Sequence, residues 1–403
     1  MSVKVLIVTP VYPPEVGGGA LATYLITDLL AKTSRLKLTV LTGVKDPRMV
    51  NGVKYFYDPL LKLMDKLYLP PSLLAKRYRS ILEINDVVYI VYAFPFVPLA
   101  KMYGKKVIVH LHDYRPISPS ATVLAGSDGF SPLDLLKEAF TISLMRKRGI
   151  KALVKNIVNV PYTLQIRRWV CMAETILAVS KRHAEILSKY MPECKNKIRV
   201  SYNPLPKFPR RACALEKKLE KIPTFLYCGG DSYIKGFHIL IKVLKMLGER
   251  KQTRFKLILT GKYSQESLSI INQLKRRYNL NIEVRGVIEQ DDLIKLYLGA
   301  WALLFPSIWE EPLPYVILEA LLMGALPIAF KVGGVPEIVK KTCVEDFLIP
   351  PNMHKKILDA IETIASYDEY NFERCFTRNL TNDSISVRFD EQKLLEDFLD
   401  ILL

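Results

Sequence analysis

Short runs of apolar, largely β-branched residues recur along the chain, each followed by a stretch in which apolar positions return every three or four residues. In the first half the runs read KVLIVTP, LKLTVLT, DVVYIVY, KKVIVHLH and TILAVS; in the second they read TFLYCGG, FKLILTG, IEVRGV, ALLFPS and LPIAF. Runs that stay apolar instead of alternating predict strands buried on both faces, and the helical periods between them predict crossovers. The pattern therefore predicts parallel sheets covered on both sides, and because it occurs twice it predicts two doubly wound α/β domains. A length of 403 residues, more than one core usually holds, agrees with that division. The boundary falls in NPLPKFPRRACALEKKLEKIP (203–223), rich in Pro and charge, which separates residues 1–203 from residues 204–384. In such a pair, ligands bind beyond the carboxyl ends of the strands, here in the cleft between the domains.

One segment breaks the alternation. Between HDYRPISP and TILAVS the chain interleaves Arg146, Lys147, Arg148, Lys151, Lys155, Arg167 and Arg168 with Leu, Ile, Val and Trp169. Two readings of this insert, roughly residues 130–170, stand side by side. A basic amphipathic helix can lie on an anionic bilayer surface; a helical insertion can equally pack its apolar side on the domain and leave a cationic face in water.

Charge sharpens the picture. The net charge is +18, and residues 1–200 carry 30 of the 58 Lys+Arg but only 14 of the 40 Asp+Glu. An anionic partner is therefore expected to meet the first half. Six cysteines, Cys171, Cys194, Cys213, Cys228, Cys343 and Cys375, include no C-x-x-C pair, which predicts free thiols in a reducing compartment, with neither a disulfide frame nor a zinc site. The opening MSVKVLIVTPVYPP is too short an apolar run, broken by Pro10, for a signal peptide. The longest apolar run, 87–100, is too short for a bilayer span and carries Pro95 and Pro98. The expectation is a cytoplasmic protein, with attachment to the cytosolic membrane face left open.

The candidate chemistry centres on WEEPLPYVILEALLMG. Pro312 and Pro314 stop a helix from running through Glu311, and Pro314 suits a first helical position. Glu311 is then a loop residue, while Glu319 lies about a turn and a half inside the helix. The first-turn N–H groups are unpaired and carry the positive end of the helix dipole. A loop carboxylate beside them can grip sugar hydroxyls, and the helix carboxylate can accept both hydroxyls of a ribose. The plainer alternative makes Glu310 and Glu311 dipole partners and Glu319 an exposed residue; the apolar setting VILEALL argues against it.

With its surroundings, this segment resembles the E-x7-E signature of retaining glycosyltransferases of family 4, which have the GT-B architecture of two Rossmann-like domains. YPPEVGGGALATYLITDLLAK, HLHDY, ILAVSKRHAEIL, YCGGDSYIKGFHILI, LTGKY, the segment ALLFPSIWEEPLPYVILEALLMGALPIAFKVGGVPEIV and DFLIPP follow in the family's order. The resemblance implies that Glu311 contacts the donor sugar, Glu319 the nucleotide ribose, and the loop around Leu313, Pro314, Tyr315 and Val316 the sugar and phosphates. It places a histidine at His112, facing the donor sugar. It also implies that the last helix, 385–403, crosses back onto the first domain. Attack and departure would share one face of the sugar, with the leaving phosphate taking the acceptor's proton, so His112 would position and polarise. His110 shares its parity on the strand, so one of the two is expected to be structural.

On the phosphate side the family pattern is G-R-x(4)-K-G, and the matching stretch is Gly229, Gly230, Asp231, Ser232, Tyr233, Ile234, Lys235, Gly236. Lys235 is retained, but Gly230 stands where the arginine is expected. That departure leaves bidentate clamping to the amides of Gly229 and Gly230 or to a basic residue from elsewhere. The run Gly17, Gly18, Gly19 formally fits G-x-G-x-x-A, yet seven residues separate it from the strand and no acid ends the next strand, which excludes a tight dinucleotide turn. It reads instead as a loop over the donor diphosphate, with Gly18 and Gly19 closest. Ser180, Lys181 and Arg182 are weighed as cleft residues against a structural role, and Gly333 and Gly334 as a turn that shapes the domain. There is no D-x-D and no metal-ligand cluster, so no metal or cofactor is expected beyond the nucleotide-sugar substrate.

The leading expectation is a retaining nucleotide-sugar-dependent transferase, hexosyltransferase-like, whose acceptor is lipid-linked. A soluble acceptor is the alternative; a non-catalytic sugar-nucleotide binder and a basic nucleic-acid-binding protein rank below.

Overall fold

A computed structural model describes residues 2–15, 17–64, 71–126, 149–206, 219–368 and 388–403, together with 137, 140–141, 370–372 and 375. The first lobe runs β1 (Val3–Thr9), α1 (Gly18–Leu30), β2 (Leu36–Thr42), β3 (Lys54–Tyr57), α2 (Leu60–Met64), α3 (Pro71–Glu83), β4 (Val87–Ile90), α4 (Phe96–Met102), β5 (Lys106–Leu111), α5 (Gly149–Cys171), β6 (Thr175–Ala178), α6 (Lys181–Tyr190), a 3₁₀ segment (Pro192–Lys197) and β7 (Ile198–Val200). The second runs β8 (Thr224–Tyr227), α7 (Phe237–Glu249), β9 (Lys256–Thr260), α8 (Gln265–Tyr278), β10 (Asn281–Gly286), α9 (Gln290–Gly299), β11 (Ala302–Phe305), α10 (Tyr315–Leu322), β12 (Leu326–Phe330), α11 (Val335–Val339), β13 (Leu348–Ile349) and α12 (His354–Ala365). The last helix is α13 (Glu391–Leu402).

Every strand pairing is parallel. The sheets are ordered β3-β2-β1-β4-β5-β6-β7 and β10-β9-β8-β11-β12-β13. Both reverse direction beside their first strand, the doubly wound arrangement that opens a crevice past the strand ends. The apolar runs form the strand centres: the side chains at Val5, Leu6, Ile7 and Val8 of β1 are wholly buried. This is the GT-B architecture. The sequence pattern missed three strands. KYFY at β3 is mostly exposed on an outer edge, and β7 and β13 are only three and two residues long.

The last helix packs on the first lobe. Leu394, Phe398, Leu399, Ile401 and Leu402 join the core beneath β1, β2, β4 and β5. The Phe398 ring lies 6.3 Å from that of His110.

Of the expected linker, 207–218 lies outside the described residues, as do 127–136, Arg146, Lys147 and Arg148 of the insert. Helix α5 contains Pro161. Toward its end Ile166, Trp169 and Val170 enter the first-lobe core, and Arg167 forms a two-pronged pair with Glu193 at 2.6 and 2.7 Å. Among the described residues no helix is long and apolar enough to cross a membrane.

The expectation of free thiols holds for Cys228 and is corrected for four others, while Cys213 lies outside the described residues. Cys171 pairs with Cys194 and Cys343 with Cys375, with Cα atoms 5.5 and 5.4 Å apart. The partners stand 23 and 32 residues apart in sequence, so folding, not spacing, brings them together. The cysteine pattern therefore gives no support to a reducing compartment.

Phe398 is fully buried on helix α13, away from the cleft. Phe398→Ala is expected to cost about 3 kcal/mol through the cavity it leaves. A thermal melt unchanged from wild type would show that the last helix does not stabilise the first lobe.

Candidate active site in the interlobe cleft

Residues just past the ends of β1, β5, β6, β8, β10 and β11 line one cavity of about 1060 Å³. Of the residues singled out in the sequence, Gly18, Gly19, His112, Gly229, Lys235, Glu311, Leu313, Pro314, Tyr315, Val316 and Glu319 all line it; Gly230 does not.

Helix α10 starts at Tyr315, one residue later than expected. Pro314 is its cap, with ψ of 111° and hence extended backbone, so the first free N–H belongs to Tyr315. The cap offers no side-chain hydrogen bond; Ile317 N donates to the Pro314 carbonyl at 3.2 Å, which leaves the amides of Tyr315 and Val316 available to a ligand. Helix α1 is similar: Gly17 caps it without a side chain, and Gly18 sits so near Tyr315 that a Cβ would lie 4.0 Å from the ring. At Gly19 any side chain would collide with the Tyr92 hydroxyl. Two helix N-termini, one from each lobe, thus open onto the same space.

Glu311 is nearly buried and is ion-paired to Lys235. Its other oxygen accepts from Ser307 Oγ at 3.5 Å. Glu319 is 5% exposed and accepts from the Tyr297 hydroxyl at 3.2 Å. Burial pushes its carboxyl up to about 7. Burial likewise pushes the neighbouring Cys228 thiol up to about 12, too high for a thiolate nucleophile at neutral pH.

His112 lines the cavity with a buried Nε2 that has no hydrogen-bond partner. Burial drives its pKa down to about 3, so the ring is neutral and a weak base. His110 turns inward, sharing a 2.5 Å hydrogen bond with the Tyr89 hydroxyl. Of the two histidines, His110 is the structural one.

Gly230 has a physical reason to be glycine. Its φ is +57°, and a Cβ would sit 2.6 Å from the Lys262 carbonyl oxygen. No side chain can project from there unless the backbone moves.

Ser180, Lys181 and Arg182 belong to the seam between the lobes and do not line the cavity. Ser180 caps α6 by accepting from His183 N at 3.1 Å. The amides of Lys181 and Arg182 donate to Glu337 of α11 at 2.9 and 2.8 Å, and the Tyr202 hydroxyl joins them at 2.8 Å. The Arg182 guanidinium donates to Glu310 at 2.7 and 3.3 Å, and Glu310 also accepts from Gly333 N at 2.6 Å. Glu310 therefore does more than complement a dipole. Gly333 and Gly334 buttress the loop, since a side chain at Gly333 would strike the Glu311 carbonyl. Leu124 and Trp309 form an antiparallel bridge across the seam. Sequence reading missed Glu337, Leu124 and Arg48, which lines the cavity from the β2–β3 loop. Glu337 lies within KVGGVPEIV, whereas Leu124 and Arg48 sit in no motif whose spacing carries a signal. Among the described residues no three His, Cys, Asp or Glu side chains are placed to hold a metal ion.

Two outcomes follow from this geometry. A carboxyl raised to about 7 means the folded state holds a proton that the unfolded chain has released, so stability falls as pH rises from about 4.5 through about 7. Glu319→Gln should flatten that part of the stability–pH curve; a gap between wild type and variant that is constant with pH would contradict it. Glu310→Ala should destabilise by about 2 kcal/mol, because it strands the buried Gly333 N–H and frees Arg182. In a double-mutant cycle, additivity with Arg182→Ala would show that the pair does not couple.

Comparison with known proteins agrees with the fold. Residues 214–375 match the family described as "Glycosyl transferases group 1". The "Uncharacterized glycosyltransferase MJ1607" of Methanocaldococcus jannaschii is 24% identical over 221 residues, covering 52% of this chain and 54% of that protein. The chain spans about half the length of the curated relatives it matches. Among solved structures, Anabaena Alr3699/HepE in complex with UDP-glucose is similar over 99% of both chains, with a TM-score of 0.65 and 19% identity. Sucrose-phosphate synthase from Thermosynechococcus elongatus is similar over 99% of this chain and 98% of that one, with a TM-score of 0.67 and 15% identity. The chain thus has the two-lobed GT-B fold, and its second lobe is similar to the glycosyl transferases group 1 family.

Proposed function

We propose that the protein is a glycosyltransferase that moves a sugar from a nucleotide-sugar donor to an acceptor hydroxyl with retention of anomeric configuration. The observation that carries this reading is the meeting of Glu311, Glu319, Lys235 and two uncapped helix N-termini on one cleft. The donor's diphosphate lies between the first turns of α1 and α10, where unpaired amides and two positive dipole ends favour an anion. Glu319 accepts the ribose hydroxyls, and Glu311 takes those of the sugar once Lys235 leaves it for the phosphate. The neutral His112 donates to the sugar from its unpartnered edge.

The bond from the anomeric carbon to phosphate oxygen breaks, and the acceptor oxygen bonds to that carbon from the same face. The acceptor's proton passes to the departing phosphate oxygen, so atoms and charge balance without a protein base. The amides and Lys235 meet the growing negative charge on the leaving group, and no metal is required for it.

The acceptor we propose is lipid-linked, with the protein cytoplasmic and peripheral at the cytosolic membrane face. The excess of positive charge in residues 1–200 supports this. The end of helix α5 favours the alternative of a soluble acceptor, because its apolar side is spent on the lobe's own core and Arg167 on Glu193.

UDP-, GDP- and ADP-sugars should be screened for thermal stabilisation and for transfer, since a ligand of the native state raises the melting temperature. Glu319→Ala should weaken nucleotide binding about tenfold or more, Glu311→Ala less. Equal affinity of both variants and wild type would remove the assignment. On anionic liposomes, binding that high salt releases supports the membrane face. Absence of binding at low salt selects the soluble acceptor.

A further inference from the structure

We propose that Arg48, from the first lobe, supplies the forked cation that grips the donor's diphosphate, a task that Gly230 of the second lobe cannot perform. The inference rests on the donor-binding reading above. A diphosphate ester brings about two negative charges into the cleft, and these grow as the leaving group departs. Only two permanent cations line the cavity among the described residues, Lys235 and Arg48. Lys235 is held by Glu311 in the free protein. The acids on the wall outnumber them, and Glu15 among them is already paired with Lys62.

Arg48 differs from Lys235 in being uncommitted. Its residue is exposed, and its guanidinium lies over the Tyr24 ring, 4.8 Å from the centroid, with no carboxylate partner among the described residues. Such stacking steadies an arginine while leaving its five donors free. The backbone is pinned where the fork is needed. Arg48 N donates to the Pro13 carbonyl at 2.8 Å, which ties the β2–β3 loop to the segment leading into the glycine run and α1. Pro13, Pro14, Gly18 and Gly19 line the cavity together with Arg48.

Among the described residues that line the cavity, the second lobe offers no such fork. At Gly230 the Lys262 carbonyl occupies the place of a side chain. Gly261 crosses there as well, its own missing Cβ only 2.8 Å from Gly230 N. Two backbones touch where an arginine would have to emerge. A planar guanidinium binds phosphate through two parallel N–H···O bonds, which an ammonium cannot imitate. Arriving from the first lobe, it also joins the two lobes through the ligand, so that closure and diphosphate recognition become one event.

The test compares Arg48→Ala, Arg48→Lys and wild type by calorimetry, using whichever of UDP, GDP or ADP binds tightest and its parent nucleoside. Arg48→Ala should weaken the diphosphate about tenfold or more while changing nucleoside affinity less than about twofold, and Arg48→Lys should recover only part of the loss. The salt dependence of diphosphate binding should become shallower in Arg48→Ala. Unchanged diphosphate affinity in Arg48→Ala, or equal losses for diphosphate and nucleoside, overturns the assignment to Arg48 and leaves the donor reading standing. Wild-type protein that binds none of the three diphosphates overturns the donor reading itself. An exposed side chain can be replaced without unfolding, and matching melting curves for the variants verify that.

Discussion

Two helices bring their amino ends to the same small volume, and among the described residues neither end has a side-chain cap or an acid in its first turn. Each end carries roughly half a positive charge, and with Gly18 against Tyr315 the two are nearly in contact. Like partial charges so placed repel unless an anion sits between them. The fold accepts that arrangement because each helix follows a strand of its own sheet, and both sheets end at the cleft. On the function proposed above, what makes the cleft an anion site is the orientation of two doubly wound sheets. Individual side chains refine it. Glycines at the end of α1 and a proline cap at α10 keep side-chain oxygens away from amides that a ligand must reach.

The lobes are held in register by acids of the second lobe acting on the first. Glu337 satisfies two first-turn amides of α6, a cap supplied from the other lobe. Glu310 accepts from both Arg182 and Gly333, so one carboxylate sets the interlobe contact and the loop carrying Glu311. Its burial makes this an all-or-none contact: a half-satisfied carboxylate there would cost more than the pair contributes. Lys235 and Glu311 face the opposite demand. On the function proposed above, their pair is formed in the free protein and broken on donor entry, which suits a lysine. A compact ammonium can leave one oxygen for another with little geometric penalty, whereas a bidentate arginine could not.

The sheets and the acidic pair were legible in the sequence because their causes are local. Strands buried on both faces must be apolar throughout, and VILEALL puts Glu319 on a helix with nothing polar beside it. Even so, the helix start was off by one residue, since whether Pro314 caps or begins the helix depends on its ψ, which the sequence does not encode. The seam was not legible. Arg182, Glu310 and Glu337 are separated by up to 155 residues, and each looks like an ordinary surface charge until the lobes are brought together. The disulfides are hidden for the same reason, and β3 is hidden because an exposed edge strand need not be apolar. Arg48 follows no motif. It stands in a loop beside Lys45 and Asp46, and only the hydrogen bond from its amide to Pro13 shows why that loop matters.

The departures from the resemblance come from backbone geometry more than from side-chain choice. A glycine at the expected arginine position could be taken as decay of a binding site. The close approach of Gly230 to Gly261 and Lys262 gives a different account. Once the β8 and β9 loops pack that tightly, any Cβ is excluded, and on the function proposed above the positive charge comes from another element. The rest of the cleft is consistent with a site still in use. A histidine edge is left without a partner, burial pushes the Glu319 carboxyl up to about 7, and Lys235 is ion-paired with Glu311. Each of these costs stability in the free protein, and on the function proposed above each is relieved by one ligand that brings hydroxyls to the acids and negative charge to the cations. A merely structural cleft would have no reason to keep all three.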